Sequence, residues 1–339
     1  MTLRTFQSAA LGILISGCTM PGVSALRNDE TSLQNAVGPR RTAEHVYVTD
    51  YGTGGTHSHN GRLIQFAVHD GVAVAPARIT VRGLHSPIGV AVDQHGLVYI
   101  AETGYGHHAI DVYDLSGNNT KRVREILFPN GFTPVAEYLT VGTDDYLFAS
   151  MDYTNIAVFR PREAGLVKQP HYLQNTSGAF QLGADEAGDV YQPTTDFLYV
   201  HPGNNKRQAR SLTKAVVPDP KYRCGCLQMS RSDGPEIFIG PTYASSDWVT
   251  LGVLSAHKWG HVVVQRSMTL ENGCWIHRES FGVAVALEGN FLYETCAYLQ
   301  SKHFVSGVWT FNKSGSGNVQ ALHFAKSPPM TPGDIAVGP

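Results

Sequence analysis

The chain is 339 residues long, 42% hydrophobic and 16% charged, with a formal net charge of -2. It carries no basic stripe or Lys/Arg-rich run, which argues against nucleic acid or an anionic membrane surface as a partner, and no internal apolar stretch of about 18 residues, the length a spanning helix needs. Abundant Gly (35), Tyr (15) and Phe (14) suit many short strands joined by tight turns.

At the N-terminus, Arg4 supplies a positive n-region, and Phe6 to Ile15 is an apolar stretch too short to cross a membrane. It runs into Ile15-Ser16-Gly17-Cys18, which resembles a bacterial lipobox. That resemblance implies a lipoprotein signal peptide over 1–17 and acylation at Cys18, palmitate included. Thr19 follows the cysteine where inner-membrane retention usually shows Asp, so the resemblance implies an outer-membrane anchor. Ordinary secretion with cleavage after Val23-Ser24-Ala25 is the alternative, and it also places the protein in the cell envelope or beyond. Residues 18–43 are polar and turn-rich (Pro21, Gly22, Gly38, Pro39) and read as a tether. The folded domain is expected over 44–339.

That domain repeats. Its clearest unit starts Pro87-Ile88-Gly89-Val90-Ala91-Val92-Asp93, turns through Gln94-His95-Gly96 and continues Val98-Tyr99-Ile100-Ala101-Glu102. Ile110-Asp111-Val112-Tyr113-Asp114 follows, then a less regular run from Val123 to Phe128. Three apolar runs separated by turn residues predict strands, and Asp-x-x-Gly between the first two is a hairpin signal. Taking Tyr47, Tyr99, Leu147, Tyr191, Phe238 and Leu292 as equivalents on the second strand, the steps are 52, 48, 44, 47 and 54 residues. Each is the size of one four-stranded propeller blade. Nothing before His45 resembles the first strand of the unit. It reappears at the other end as Pro332-Gly333-Asp334-Ile335-Ala336-Val337, where it would cover the open inner edge of the first blade. The expected fold is therefore all-β, a six-bladed β-propeller whose C-terminal strand closes the first blade.

At residues 87–114 the repeat resembles that of the NHL-type six-bladed propellers, and as architecture the likeness covers about residues 45–339. That superfamily includes binding modules, gluconolactonase-like hydrolases, and lyases of the streptogramin and peptidylglycine type, so the resemblance implies a fold and leaves the activity open.

Loops joining second to third strands, and those entering the inner strands, would share one face. The first such loop, Tyr51 to Gly61, carries His57 and His59; His85 precedes the next inner strand; His107 and His108 follow Gly104-Tyr105-Gly106; the last blade brings His303. Six of the 15 histidines are thus expected in one sector, with Asp50, Glu102 and Glu294 at strand ends. Imidazole with carboxylate suits a divalent metal (Zn, Mn or Ca), within His57, His59, His107 and His108, and also general acid–base work. Glycine-rich surface loops also carry solvated histidines without a role. Two functions stay open. One is a lipid-anchored module binding a protein, peptide or glycan on the loop face. The other is a metal-dependent hydrolase or lyase, lactonase-like or streptogramin-lyase-like, acting in the central channel. Against the lyase, the mouths of the inner strands carry a mixed set: His85, Thr133, Ser177, Arg223, Glu279 and Thr331. Outside the cytoplasm, Cys224, Cys226, Cys274 and Cys296 are expected to form one or two disulfides, with three full pairings possible.

Overall fold

The computed structural model describes residues 44–52, 59–104, 107–116, 120–128, 136–142, 144–151, 155–173, 181–184, 189–193, 197–201, 213–216, 228–233, 236–241, 249–255, 264–271, 284–300 and 303–339. These residues form strands and turns in a β-propeller arrangement, with no helix among them.

The first meander is β1 (His45–Asp50), β2 (Gly61–His69) and β3 (Val72–Leu84). The second is β4 (Pro87–Val92), β5 (Leu97–Glu102), β6 (Ala109–Asp114) and β7 (Lys121–Leu127). The third is β8 (Ala136–Val141), β9 (Leu147–Met151) and β10 (Asn155–Phe159); the two-residue β11 (Gly165–Leu166) then leaves to pair with β7, and β12 (His171–Leu173) returns to β10. The fourth is β13 (Gly183–Ala184), β14 (Val190–Pro193), β15 (Phe197–His201) and β16 (Thr213–Val216). Two further runs follow: β17 (Gln228–Asp233), β18 (Glu236–Pro241), β19 (Val249–Ser255) and β20 (Val264–Glu271), then β21 (Val285–Glu288), β22 (Phe291–Gln300), β23 (His303–Asn312) and β24 (Gly317–Lys326). They join into one eight-stranded sheet through a parallel pairing of β20 with β24. The last strand, β25 (Pro332–Gly338), lies beside β1, with Val46 opposite Val337 and Val48 opposite Ile335.

The strand patterns follow from where each strand sits. β5 and β9 are buried nearly end to end, because both faces of a blade pack on neighbouring blades. β7 and β24 are largely exposed, as outer strands on the rim. One apolar cluster joins Tyr99, Ile110 and Val112 of the second meander to Leu139, Leu147 and Phe159 of the third. Another joins Val46, Val48 and Phe66 to Tyr293, Val308 and Ile335.

Asp93 shows why the hairpin motif works. Its carboxylate accepts the His95 and Leu97 amides, both at 2.9 Å, and its carbonyl accepts the Gly96 amide at 3.0 Å. Gly96 sits at φ 83°, where a side chain would be strained. The other Asp93 oxygen accepts the Tyr99 hydroxyl at 3.0 Å, tying the turn to the second strand.

The inner strands pack in succession: β25 on β4, β4 on β8, β8 on β13, β13 on β17, β17 on β21 and β21 on β25. Between them is a cavity of about 110 Å3, lined by residues such as Val90, Leu139, Thr140, Leu287 and Ile335. Beside it the buried Asp334 accepts the Val90 amide at 3.3 Å and a hydrogen bond from the Gln181 side-chain amide.

Cys296, fully buried on β22, is disulfide-bonded. The other four cysteines, Cys18, Cys224, Cys226 and Cys274, its partner among them, lie outside the described residues.

Candidate functional site

Three connections place three imidazoles in a column. His59 ends the β1–β2 loop, His85 enters β4, and His107 lies between β5 and β6. His59 Nδ1 is 3.1 Å from His85 Nε2, with the rings edge-on at 4.1 Å between centroids. The His85 and His107 rings lie 4.5 Å apart and tilted by 34°. Backbone bonds set this geometry: Gly104 donates to the His85 carbonyl at 2.9 Å, and His107 donates to the Gly104 carbonyl at 2.9 Å. A Cβ on Gly104 would come within 2.7 Å of His85 Cβ, so only glycine allows the two loops this approach.

The column stands on two acids, Glu102 and Asp111, each 2% exposed. Glu102 closes β5 and accepts the His85 amide at 2.6 Å; its carboxylate lies 3.9 Å from His107 Nε2. Asp111, in the middle of β6, accepts the Tyr113 hydroxyl at 3.1 Å. It also accepts Arg122 Nη1 at 3.1 and 3.3 Å, and that same nitrogen reaches Glu125 at 2.9 Å. Glu102, His107 and Asp111 each offer one ligand atom within 4.8 Å of the others.

Two buried carboxylates thus lie together with one guanidinium, which pairs with Asp111, and the electrostatics reflect it. Burial pushes Glu102 from the ordinary 4.5 up to about 8; the His85 amide opposes this, and Asp111 adds to it by its charge and by the hydrogen bond between the two acids. The Tyr113 hydroxyl is raised by burial and then by Asp111. His85 is lowered by burial, then by the neighbouring His107 and His59. The hydrogen bond and charge of Asp111 raise Arg122.

A carboxyl raised in the folded state binds its proton more tightly there than in the unfolded chain. Its contribution to stability is full below about pH 4.5 and is lost as pH rises through about 8. His201, lowered by burial to about 4, and His85 act in the opposite sense, but only below the ordinary histidine value of 6.5. Between pH 6.5 and 8 the Glu102 effect stands clear. The melting temperature of the protein should fall by a few degrees across that window and stay level in Glu102→Gln. Parallel slopes for the two proteins in thermal melts would mean that Glu102 is ionised throughout.

The site gathers His59, His85, Glu102 and His107 from the sequence-derived set, and the rest lie elsewhere. Asp50 is a structural clamp: it accepts the Gly52 amide at 3.1 Å and the Thr331 amide at 2.8 Å, and pairs with Arg62, whose guanidinium also donates to the Pro329 carbonyl. It thus holds the segment leading into β25 against the first meander. Glu294 is buried on β22, opposite Val285 and Trp309. His108 is half-buried beside the column, and its carbonyl accepts the Phe128 amide at 3.2 Å. His303 opens β23, its backbone paired with Gln300. His57 falls outside the described residues. Sequence reasoning missed Asp111, Tyr113, Arg122 and Glu125. One signal was available: Asp111 interrupts Ile110-Asp111-Val112, and a charge in a strand packed on both faces needs a partner.

No protein-family model matches the sequence, and no curated protein matches it. Among solved structures the chain is similar to a protein of unknown function from Bacteroides caccae, at 12% identity and a TM-score of 0.54, covering 88% of this chain and 99% of that one. It is also similar to a functionally unknown protein from Desulfotomaculum acetoxidans, at 11% identity and a TM-score of 0.49, covering 86% and 89%. The WD40 domain of Neurospora crassa Pan2 follows at 10% identity and a TM-score of 0.45, covering 72% and 67%. The first likeness shows a shared fold; at such identity none speaks to activity.

Proposed function

We propose that this chain is an exported, lipid-anchored six-bladed propeller, closed by β25 in its first blade, that binds a protein, peptide or glycan on its loop face above the first two blades. The blade count is supported by the succession of inner strands from β25 round to β21, and by the parallel joint at which the eight-stranded sheet divides into two four-stranded meanders. Closure is supported by the β1–β25 register. Export and anchoring rest on the segment ending at Cys18, whose likeness to a lipobox supports an outer-membrane location in a bacterial envelope.

The observation that carries the binding reading is the histidine column. Three loops present stacked imidazoles, His59 exposed and His85 and His107 half-buried, on a hydrogen-bonded base. Loops held by a rigid scaffold are where propellers and similar folds place recognition. The test is affinity capture from envelope extract, alongside a glycan array, with the wild type and a His59→Ala/His85→Ala/His107→Ala variant of matching melting temperature. A partner held by the wild type and released by the variant is expected. Capture of the same set by both, or of nothing by either, rejects the reading.

A second reading, a metal-dependent hydrolase or lyase, is favoured by the grouping of Glu102, His107 and Asp111. On this reading the reaction sits at the loop face, where those three side chains converge.

A further inference from the structure

We propose that Glu102, His107 and Asp111 form a binding site for one divalent transition-metal ion at the base of the loop face, regulated by Arg122. The three donors sit on one hairpin. Glu102 ends β5 opposite Ala109, and Asp111 lies on β6 opposite Ile100, so the ladder sets the spacing of the two carboxylates. His107 reaches back over them from the connecting loop, which its amide pins to the Gly104 carbonyl.

Charge points the same way. Glu102 and Asp111, each at 2% exposure, lie together, and the Arg122 guanidinium pairs with Asp111 and with Glu125. A buried carboxylate without a counter-charge is costly. A divalent ion would supply positive charge where both acids and the imidazole converge. One imidazole with two carboxylates suits Zn, Mn or Fe; Mg and Ca prefer all-oxygen sets. Three protein donors leave a position of a tetrahedral ion for water or a ligand. Coordination at about 2.0–2.2 Å needs His107 Nε2, now 3.9 Å from Glu102, to close by several tenths of an ångström. The outer support is already in place: Tyr113 donates to Asp111, and the His85 amide holds Glu102.

Arg122 is the competitor. Its guanidinium occupies both oxygens of Asp111, is half-exposed, and has Glu125 as an alternative partner. Metal binding would release it toward Glu125.

The experiment is calorimetric titration of the untagged, chelator-stripped protein with Zn2+, and separately with Mn2+, at pH 7.5. One equivalent at micromolar affinity or tighter is expected for at least one of the ions. His107→Ala and Glu102→Gln should each weaken it at least tenfold, and Arg122→Gln should tighten it several-fold. Glu102→Gln keeps the shape of the side chain, so its melting curve checks the fold. Absence of binding by the wild type, or affinity unchanged in both His107→Ala and Glu102→Gln, overturns the site; Arg122→Gln binding no more tightly than wild type overturns its regulation by Arg122. The titration needs no partner. A protein that binds metal but captures nothing loses the ligand reading alone, and one that captures a partner but binds no metal loses the metal site alone.

Discussion

Deletion of Pro332 to Pro339 should make the protein aggregate, or lower its melting temperature by about 10 °C or more. Loss of eight terminal residues is usually tolerated. Here they contain β25, which pairs with β1 from His45 to Asp50 and leaves Ile335 with no exposed surface. Ile335 packs with Val46, Val48 and Phe66, and the half-buried Val337 joins the same cluster. Burying an aliphatic side chain of this kind contributes about 1.5–3 kcal/mol, against a net stability of about 5–15 kcal/mol for a typical domain. The deletion also takes Asp334, the acceptor for the Val90 amide and the Gln181 side chain, leaving both donors buried without that partner. Finally it uncovers the inner edge of β1, an open template for pairing with another chain. Ile335→Asp should act in the same direction by placing a charge in the cluster. The measurement is thermal melting with light scattering, and a truncated protein that melts with the full-length one would mean that β25 does not close the first blade.

Gly89→Val should have the next largest effect. Gly89 lies on β4 in the Pro-Ile-Gly-Val stretch that opens the repeat. Its φ is not in the left-handed region, so the requirement is one of space. A Cβ there would stand 2.2 Å from the Glu137 carbonyl oxygen and 3.0 Å from the Tyr138 Cα, both backbone atoms of β8. Backbone in a paired strand cannot rotate aside as a side chain can, so the second and third meanders would have to separate. Overpacking costs about 1–3 kcal/mol where neighbours adjust, and more where they cannot. We expect a melting temperature at least 5 °C lower, or insoluble protein, while Ile88→Val on the same strand changes it little. Soluble Gly89→Val protein melting within 2 °C of the wild type would mean that β4 and β8 are less closely packed than they stand here. Gly333 on β25 meets the same constraint, its Cβ position lying 2.8 Å from the Ile88 carbonyl oxygen. A glycine near the start of these inner strands thus reflects crowding of backbones around the channel.

What the amino-acid sequence determined by itself was whatever is set within a few residues. The Asp93-to-Gly96 turn is encoded by one carboxylate capping nearby amides and one residue at positive φ, so it was legible as Asp-x-x-Gly. The buried second strands were legible as apolar runs, because both faces of each blade are covered. The last strand was legible because Pro332 to Val337 repeats the inner-strand pattern where the first meander lacks one, and the structure does set it beside β1. Of the expected histidine sector, His59, His85 and His107 were legible as neighbours, since strand order dictates which connections share a face.

The tertiary structure alone decided which of those side chains meet. Asp50 and Glu102 both end a second strand, with nothing local to separate them. One meets Arg62 and the Thr331 amide and becomes a clamp; the other meets Asp111 and an imidazole column and becomes a raised acid. Asp111 read as a strand residue until β7 brought Arg122 beside it. The reason is physical: turn and strand preferences act over a few bonds, whereas burial and charge pairing are set by neighbours brought in from other strands and other blades.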